Sequence, residues 1–275
     1  MMELSAAMPQ AQVDYDRIAA SYDRRFVHGG LTGPASALSE LIRDMGAERI
    51  LEVGCGTGHW LESLEGTRGQ LYGLDLSAAM LGQAQRRDRG FRLARGRAGQ
   101  LPFPDDSFDL VFCVNAIHHF QQQRRFVTEA QRLLRSGGAL AVVGMDPRSD
   151  LGQWYIYDYF EGTYETDLVR FPSWGTILEW MAAAGFEQVQ WQLVEQILDN
   201  KLGRAVLDDP FIQKDACSQL SLLTNEAYAA GLRRIEAALQ AAEAGGETLS
   251  FPTDLFLAML VGRVRGKAPV PARNP

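Results

Sequence analysis

A glycine-rich stretch, Leu51-Glu52-Val53-Gly54-Cys55-Gly56-Thr57-Gly58, limits the folds open to this chain more than any other feature. Ile50, Leu51 and Val53 predict a buried strand over 50–53, and a helix is expected to begin near Gly58. The glycines allow a tight turn and let a ligand approach the backbone. Glu52 ends the strand with a carboxylate that a cationic ligand would compensate. We therefore predict a ligand-binding loop, with an ordinary strand-to-helix turn as the alternative.

Strand and helix patterns alternate along the chain around this loop. Strands are predicted at 50–53, 71–74, 91–94, 110–114, 139–144, 188–198 and 255–264. The first five are mostly apolar, which is typical of a parallel sheet buried on both faces. Repeated βαβ units predict a doubly wound α/β sheet with its ligand at the carboxyl ends of the strands.

The same patterns divide the 275 residues into five parts. We predict N-terminal helices that form a lid at 1–46, a ligand-binding core at 47–198, a helical insertion that acts as a cap at 199–246, the last strand region of the core at 247–266 and a tail at 267–275. Apolar residues at helical spacing predict that the first helix runs over 13–27.

Charge and cysteine content narrow the possible partners and location. A formal net charge of −7 argues against nucleic acid, because phosphate contacts need clustered Lys and Arg. Cys55, Cys113 and Cys217 are too scattered for a disulfide framework or a zinc site, so we expect no metal and a reducing cytoplasm. The sequence shows no signal peptide and no apolar run of membrane-spanning length, so no membrane insertion is expected. The oligomeric state is left open.

Polar residues follow the later strands as well. Asp75, in Gly73-Leu74-Asp75-Leu76-Ser77, ends the second strand, where a carboxylate can accept hydrogen bonds from both hydroxyls of a ribose. Ser77 is expected to cap the next helix. The stretches Gly96 to Phe103 and Asn115 to Phe120 follow the third and fourth strands. All of these positions lie at one edge of the predicted sheet.

These elements, in this order and spacing, resemble the class I S-adenosylmethionine-dependent methyltransferases, especially the ubiquinone/menaquinone-type small-molecule methylases. The resemblance is specific from about Ile50 to Met145 and implies a seven-stranded, mostly parallel, Rossmann-like sheet with a helical cap. It implies that Glu52, Gly54, Gly56 and Gly58 flank the methionine part of the S-adenosylmethionine cofactor, and that the Asn115 carbonyl faces the ammonium group. It also implies that Asp75 holds the ribose, with Leu76 against the adenine and the Ala98 N–H donated to the adenine. Tyr22 is then expected to close over the cofactor. Cys55 is expected to contribute only its backbone and a small volume.

Arg97 departs from the pattern of this group, which usually has Asp at that position. The Asp accepts a hydrogen bond from the adenine amino group, and Arg has no acceptor. Arg97 could instead lie flat on the purine. The sequence therefore supports the ribose contact of Asp75 and leaves the adenine contact of Arg97 open.

His118 and His119 are the candidate catalytic residues, because they follow the fourth strand where the transferred methyl group is expected. An imidazole there could remove a proton from an acceptor, and we expect the rate to fall below about pH 6.5 as it protonates. The alternative is that both rings only pack and orient.

Residues 147–174 are rich in aromatic side chains and are expected either to pack as a cap or to line a pocket for the methyl acceptor. The candidate acceptor residues are Asp146, Trp154, Tyr155, Tyr159 and Trp174. Between 154 and 174, the four acidic residues Asp158, Glu161, Glu165 and Asp167 face one cation, Arg170. They predict a solvated helix face or, alternatively, recognition of a cationic acceptor.

The function expected from the sequence is in-line methyl transfer to a small, aromatic or apolar metabolite. One alternative is an enzyme of the same fold that binds the cofactor but catalyses another biosynthetic step, such as a cyclisation. A binding module without catalysis is the other alternative.

Overall fold

In the computed structural model of the protein, residues 13–23, 31–87, 90–149 and 152–265 are described. The predicted tail at 267–275 and the end of the helix predicted over 13–27 lie outside these residues. The described part of that helix is one turn, α1 (Tyr15–Ile18), which begins after Asp14, whose side chain accepts a hydrogen bond from the Arg17 N–H. The N-terminal segment is therefore less helical than its spacing predicts.

The remaining helices are α2 (Gly33–Met45), α3 (His59–Ser63), α4 (Ala78–Arg87), α5 (Gln123–Leu133), α6 (Tyr155–Tyr159), α7 (Thr163–Arg170), α8 (Trp174–Ala183), α9 (Ser218–Ser221) and α10 (Asn225–Gly245). The strands are β1 (Arg49–Val53), β2 (Gln70–Asp75), β3 (Arg92–Arg95), β4 (Phe108–Val114), β5 (Leu134–Gly144), β6 (Gln153–Trp154), β7 (Phe186–Leu202) and β8 (Ser250–Val264).

One mixed sheet joins all eight strands, in the order β3-β2-β1-β4-β5-β8, with β6 and β7 also paired to β8. Neighbours from β1 to β5 are parallel, whereas β8 runs antiparallel to β5, β6 and β7. The prediction of a doubly wound, mostly parallel α/β sheet is confirmed, and each of the seven predicted strands is present. The two-residue β6 is an addition to them.

Alternating side chains of the central strands supply two separate cores. Leu51 and Val53 of β1 pack with residues of α5 and α8 on one face of the sheet. Ile50 packs with residues of α2 and α3 on the other face. Because β1 carries apolar side chains on both of its faces, both faces are buried, as the sequence predicts.

The last two long strands extend beyond the carboxyl end of β5. Gly144, the last residue of β5, faces Ala258, so the residues of β8 before Ala258 lie past that end. They pair there with β6 and with the second half of β7, as far as Leu202 opposite Ser250. Because these arms bond to each other, β7 and β8 are longer than the strands predicted at 188–198 and 255–264.

A third hydrophobic cluster packs around these strand arms. It joins α6, α9 and α10 through buried residues that include Trp154, Tyr155, Phe160, Ile235 and Phe251. Of the predicted helical insertion at 199–246, residues 199–202 are the end of β7, and the rest contains two short 3₁₀ turns, α9 and α10. We call the segments 152–174 and 203–249 the cap; they stand at the carboxyl edge of the sheet. No described helix is long and apolar enough to cross a bilayer.

Candidate functional site

A cavity of about 460 Å³ lies at the carboxyl edge of the sheet. Ten of the residues singled out from the sequence line it: Tyr22, Gly54, Gly56, Asp75, Leu76, Arg97, Ala98, Asn115, His118 and His119. Three others, Glu52, Cys55 and Gly58, belong to the strand and loop beside it but are not among its lining residues. Residues that are far apart in the sequence thus meet because the strands that precede them end at one edge.

The glycine loop has the backbone conformation that its composition predicts. Gly54, Gly56 and Gly58 have φ of +77°, +52° and +78°, in the left-handed region that disfavours other residues. A Cβ at Gly54 would also lie 2.7 Å from the Cβ of Ala116. Glycine at position 54 is therefore required both by the turn and by the close approach of the loop after β4.

Asp75 fastens the glycine loop to the start of α4. Its Oδ2 accepts a hydrogen bond from the Gly56 N–H at 2.8 Å, and its Oδ1 accepts one from the Ser77 N–H at 2.8 Å. Burial raises the pKa of this carboxyl, while these backbone donors oppose the shift. Each oxygen keeps a second lone pair, so the carboxylate can still accept hydrogen bonds from hydroxyls of a ligand in the cavity.

Glu52 is the clearest sign that the site takes a ligand. The residue is fully buried, and neither carboxyl oxygen has a hydrogen-bond partner among the described residues. Burial, and next the nearby Asp75, raise its pKa well above the ordinary value. A buried carboxyl without partners is costly, and a cationic ligand held by the adjacent loop would offset that cost. The ammonium group and ribose of S-adenosylmethionine fit the two carboxyls, Glu52 and Asp75.

Two aspartates hold the N-terminal segment against the core. Asp16 accepts hydrogen bonds from the Ser77 hydroxyl at 2.5 Å and from the Ala79 N–H at 3.1 Å. Asp23 accepts one from the Thr57 hydroxyl at 2.5 Å and pairs with Arg87. Tyr22 therefore lies between two anchored points at the cavity. The sequence pointed to Tyr22, but neither anchor was predicted, since each depends on a contact distant in sequence.

The loop after β4 has an unusual backbone at Asn115, whose φ is +47°. Its N–H donates to the Val143 carbonyl at 2.9 Å, which ties the turn to β5. Non-glycine residues seldom adopt such a conformation unless the surrounding structure holds it, and they cluster at functional sites. Across the cavity, Arg97 is exposed, and its guanidinium donates to the Gln121 side chain at 3.2 Å.

His118 is buried, lines the cavity and stacks on Phe171, with ring centroids 3.8 Å apart. Burial, and then the neighbouring His119 and Arg170, lower its pKa well below the ordinary value. The ring is therefore neutral at pH 7. The fall in rate expected near pH 6.5 from an unperturbed imidazole moves to lower pH for this histidine.

His119 is held from two sides by residues that sequence reasoning did not select. Arg170 Nη2 lies 3.2 Å from His119 Nδ1, and the Tyr15 hydroxyl lies 2.6 Å from His119 Nε2. Because a guanidinium can only donate, Nδ1 has to accept. The proton of the neutral ring is then on Nε2, which donates to the Tyr15 oxygen. In this arrangement both ring nitrogens are engaged, which disfavours His119 as a proton acceptor.

None of the five candidate acceptor residues is among the residues described as lining the cavity. Trp154, Tyr155 and Tyr159 pack in the hydrophobic cluster of the cap, and the Tyr155 hydroxyl donates to Asp209 at 2.8 Å. Asp146 accepts hydrogen bonds from Arg148 and from the Trp174 N–H, and the Trp174 ring packs on the core. These contacts favour the packing alternative for the aromatic stretch.

The acidic stretch of the cap divides into two environments. Asp158, Glu161 and Glu165 are exposed, as a solvated helix face predicts. Asp167 and Arg170 are 0% and 3% exposed and form a buried ion pair, with Nη1 3.2 Å from Oδ1. The solvated-face prediction is therefore wrong for these two residues, because α7 packs them between α9 and the cavity.

Among the described residues, no group of three or more His, Cys, Asp or Glu side chains could hold a metal ion. Burial raises the pKa of the Cys55 thiol well above its ordinary value, which leaves Cys55 the small-volume role expected for it.

Comparisons with known proteins agree with this geometry. Residues 51–142 match the methyltransferase-domain family. Over 115 residues the chain is 37% identical to a phthiotriol/phenolphthiotriol dimycocerosates methyltransferase of Mycobacterium tuberculosis, covering 40% of this chain and 43% of that protein. Over 115 residues it is 38% identical to a fatty-acid O-methyltransferase of Mycolicibacterium smegmatis, covering 40% and 42%. The chain thus matches less than half the length of these curated relatives.

The likeness in fold to one solved enzyme covers a larger part of this chain than the sequence matches do. Phosphoethanolamine N-methyltransferase 2 of Haemonchus contortus, in complex with phosphomonomethylethanolamine and S-adenosylhomocysteine, has a TM-score of 0.57 and 20% identity. The superposition covers 92% of this chain and 58% of that one. It shows that the methyltransferase fold extends beyond the matched segment.

Proposed function

We propose that this chain, whose residues 51–142 match the methyltransferase-domain family, transfers a methyl group from S-adenosylmethionine to a small, aromatic or apolar metabolite. The observation that carries this proposal is the pair of carboxyls, Glu52 and Asp75, at a glycine loop that opens into the cavity. Membership of this chain in the ubiquinone/menaquinone-type group stays a prediction.

Four parts of the chain would hold the cofactor. Asp75 would accept hydrogen bonds from the ribose hydroxyls, and Glu52 would face the positive charge of the methionine part. The Asn115 carbonyl, turned by its positive φ, would accept from the ammonium group. Tyr22 would cover the site, held there by the hydrogen bonds of Asp16 and Asp23 to the core.

The bound cofactor supplies a methyl group on a positively charged sulfur. The protein then has to align an acceptor with that methyl group and exclude water, which requires no metal. The anchored N-terminal segment and the buried ring of His118 help to exclude water from the cavity. Where the acceptor carries a proton, His118 is the residue placed to remove it, because its ring is neutral and His119 is engaged on both nitrogens.

An apolar acceptor is supported by the relatives, whose names describe methylation of dimycocerosates and of a fatty acid. The formal net charge of −7 opposes binding of nucleic acid. The three cysteines, which are too scattered in the sequence for a disulfide framework, support a cytoplasmic location.

Isothermal titration calorimetry with S-adenosylmethionine, S-adenosylhomocysteine and NAD tests the cofactor. We expect binding of the first two ligands and none of NAD. Release of S-adenosylhomocysteine from an acceptor panel then tests methyl transfer. Cofactor binding with product formation but no S-adenosylhomocysteine would indicate a non-methylating enzyme, and binding without any product would indicate a binding module.

A further inference from the structure

Arg170 brings a permanent positive charge to one end of the cavity. The side chain is only 3% exposed, yet it lines the cavity beside His118 and His119. A guanidinium remains protonated in proteins, so burial cannot neutralise it. A buried charge is costly unless partners surround it, and the partners of Arg170 therefore show what this end of the cavity can bind.

The described partners compensate Arg170 only in part. Its two hydrogen bonds, to Asp167 Oδ1 and to His119 Nδ1, use two of five N–H donors. Asp167 in turn accepts from the Tyr157 hydroxyl at 2.8 Å and from the Gln219 amide at 2.5 Å. Its carboxylate is thus shared among three donors and does not serve Arg170 alone.

The other charges at the cavity point in the same direction. Arg97, Arg125 and Arg170 are lining residues, and Asp75 is the acidic residue described among them. Asp75 bonds to the glycine loop and α4, on the part of the site assigned to the ribose. The end marked by Arg170 therefore offers a cation and neutral rings, which attract a negatively charged group. This polarity is opposite to the cationic acceptor considered from the sequence.

We propose that the methyl acceptor is a carboxylate on an apolar body and that Arg170 binds this carboxylate; the proposal rests on the methyltransferase function. An oxygen of the carboxylate would form the new bond to the methyl carbon. The carbon–sulfur bond breaks, and its electron pair stays on sulfur. The products are a methyl ester and S-adenosylhomocysteine, and no proton is transferred, so this acceptor needs no base.

Binding measurements on the protein saturated with S-adenosylhomocysteine test the proposal. Two matched pairs serve as probes: octanoate with 1-octanol, and benzoate with benzyl alcohol. In at least one pair we expect the carboxylate to bind about tenfold or more tightly than the alcohol, the scale of one charge-assisted hydrogen bond. Arg170→Gln should reduce this preference to less than about threefold while S-adenosylhomocysteine affinity stays unchanged. Arg124→Gln, which removes an exposed arginine of α5, should keep the preference.

Arg170→Gln leaves Asp167 without its cation, so the double variant Arg170→Gln/Asp167→Asn is measured as well, because it replaces the ion pair with neutral side chains of similar shape. Equal affinity of the wild-type protein for acid and alcohol in both pairs would overturn the proposal. A preference that survives in both Arg170 variants would also overturn it. Failure of the wild-type protein to bind S-adenosylhomocysteine would instead refute the methyltransferase function itself.

Discussion

The cofactor side of the cavity and the cap are built in different ways. On the side proposed for the cofactor, backbone conformation shapes the candidate contacts: Gly54 and Asn115 have positive φ, and Asp75 bonds to two backbone N–H groups. The cap relies on side chains, with Arg170 placed by a buried pair with Asp167. Backbone-built sites have local sequence patterns, whereas side-chain networks depend on contacts distant in sequence. The two sides should therefore respond independently to substitution.

The largest effect is expected from Asp75→Ala. We predict a 10- to 150-fold loss of S-adenosylhomocysteine affinity, about 1.5–3 kcal/mol, because charge-assisted hydrogen bonds to the ribose disappear. Calorimetry measures the loss, and Asp44→Ala, at an exposed site in α2, serves as the matched control. Unchanged affinity of the Asp75 variant for S-adenosylhomocysteine would show that the cofactor does not bind on this side of the cavity.

Gly231→Ala tests the packing of the cap. A Cβ at this position in α10 would collide with the Phe160 ring, and overpacking of this kind costs about 1–3 kcal/mol of unfolding free energy. Urea unfolding should show that loss, with S-adenosylhomocysteine affinity kept. Gly245→Ala lies in the same helix with no atom within 4 Å of the added Cβ and should not destabilise the protein. If Gly231→Ala lowered the affinity for S-adenosylhomocysteine, the cofactor side and the cap would not be independent.

His118 joins the two sides, and its pKa predicts a pH dependence of stability. Burial lowers the folded-state pKa, so as pH falls below about 6.5 the unfolded chain binds a proton that the folded chain does not. Stability is therefore lost from pH 6.5 downwards until the folded-state pKa is reached. Between pH 7 and pH 5 the wild-type protein should lose about 1 kcal/mol or more relative to His118→Asn. Thermal unfolding of both proteins checks this; parallel pH curves would contradict the burial effect.

Arg97→Asp should have the smallest effect. The guanidinium is exposed and bonds to the Gln121 side chain, so little binding energy depends on it. We predict S-adenosylhomocysteine affinity within about threefold of the wild-type value, or higher, because Asp offers an acceptor for the adenine amino group. A loss well beyond threefold would show that Arg97 contacts the adenine directly.

The sequence predicted the sheet, and it predicted which residues meet at the glycine-loop side of the cavity, because both signals are local. The turn after β1 requires glycine, and Asp75 directly follows an apolar strand. The role of Arg170 could not be predicted, since its burial depends on α9 and on His119, which lie far from it in sequence. Asp16 and Asp23 were missed for the same reason. For Tyr155, an aromatic signal was present but did not distinguish a pocket from a core.

The central claim is that one cavity holds the cofactor on the glycine-loop side and the acceptor on the Arg170 side. A crystal structure of the S-adenosylhomocysteine complex tests it most directly. We predict ribose hydroxyls within hydrogen-bond distance of the Asp75 carboxylate and the sulfur directed towards His118 and Arg170. S-adenosylhomocysteine bound outside this cavity, or with its sulfur directed away from Arg170, would contradict the claim.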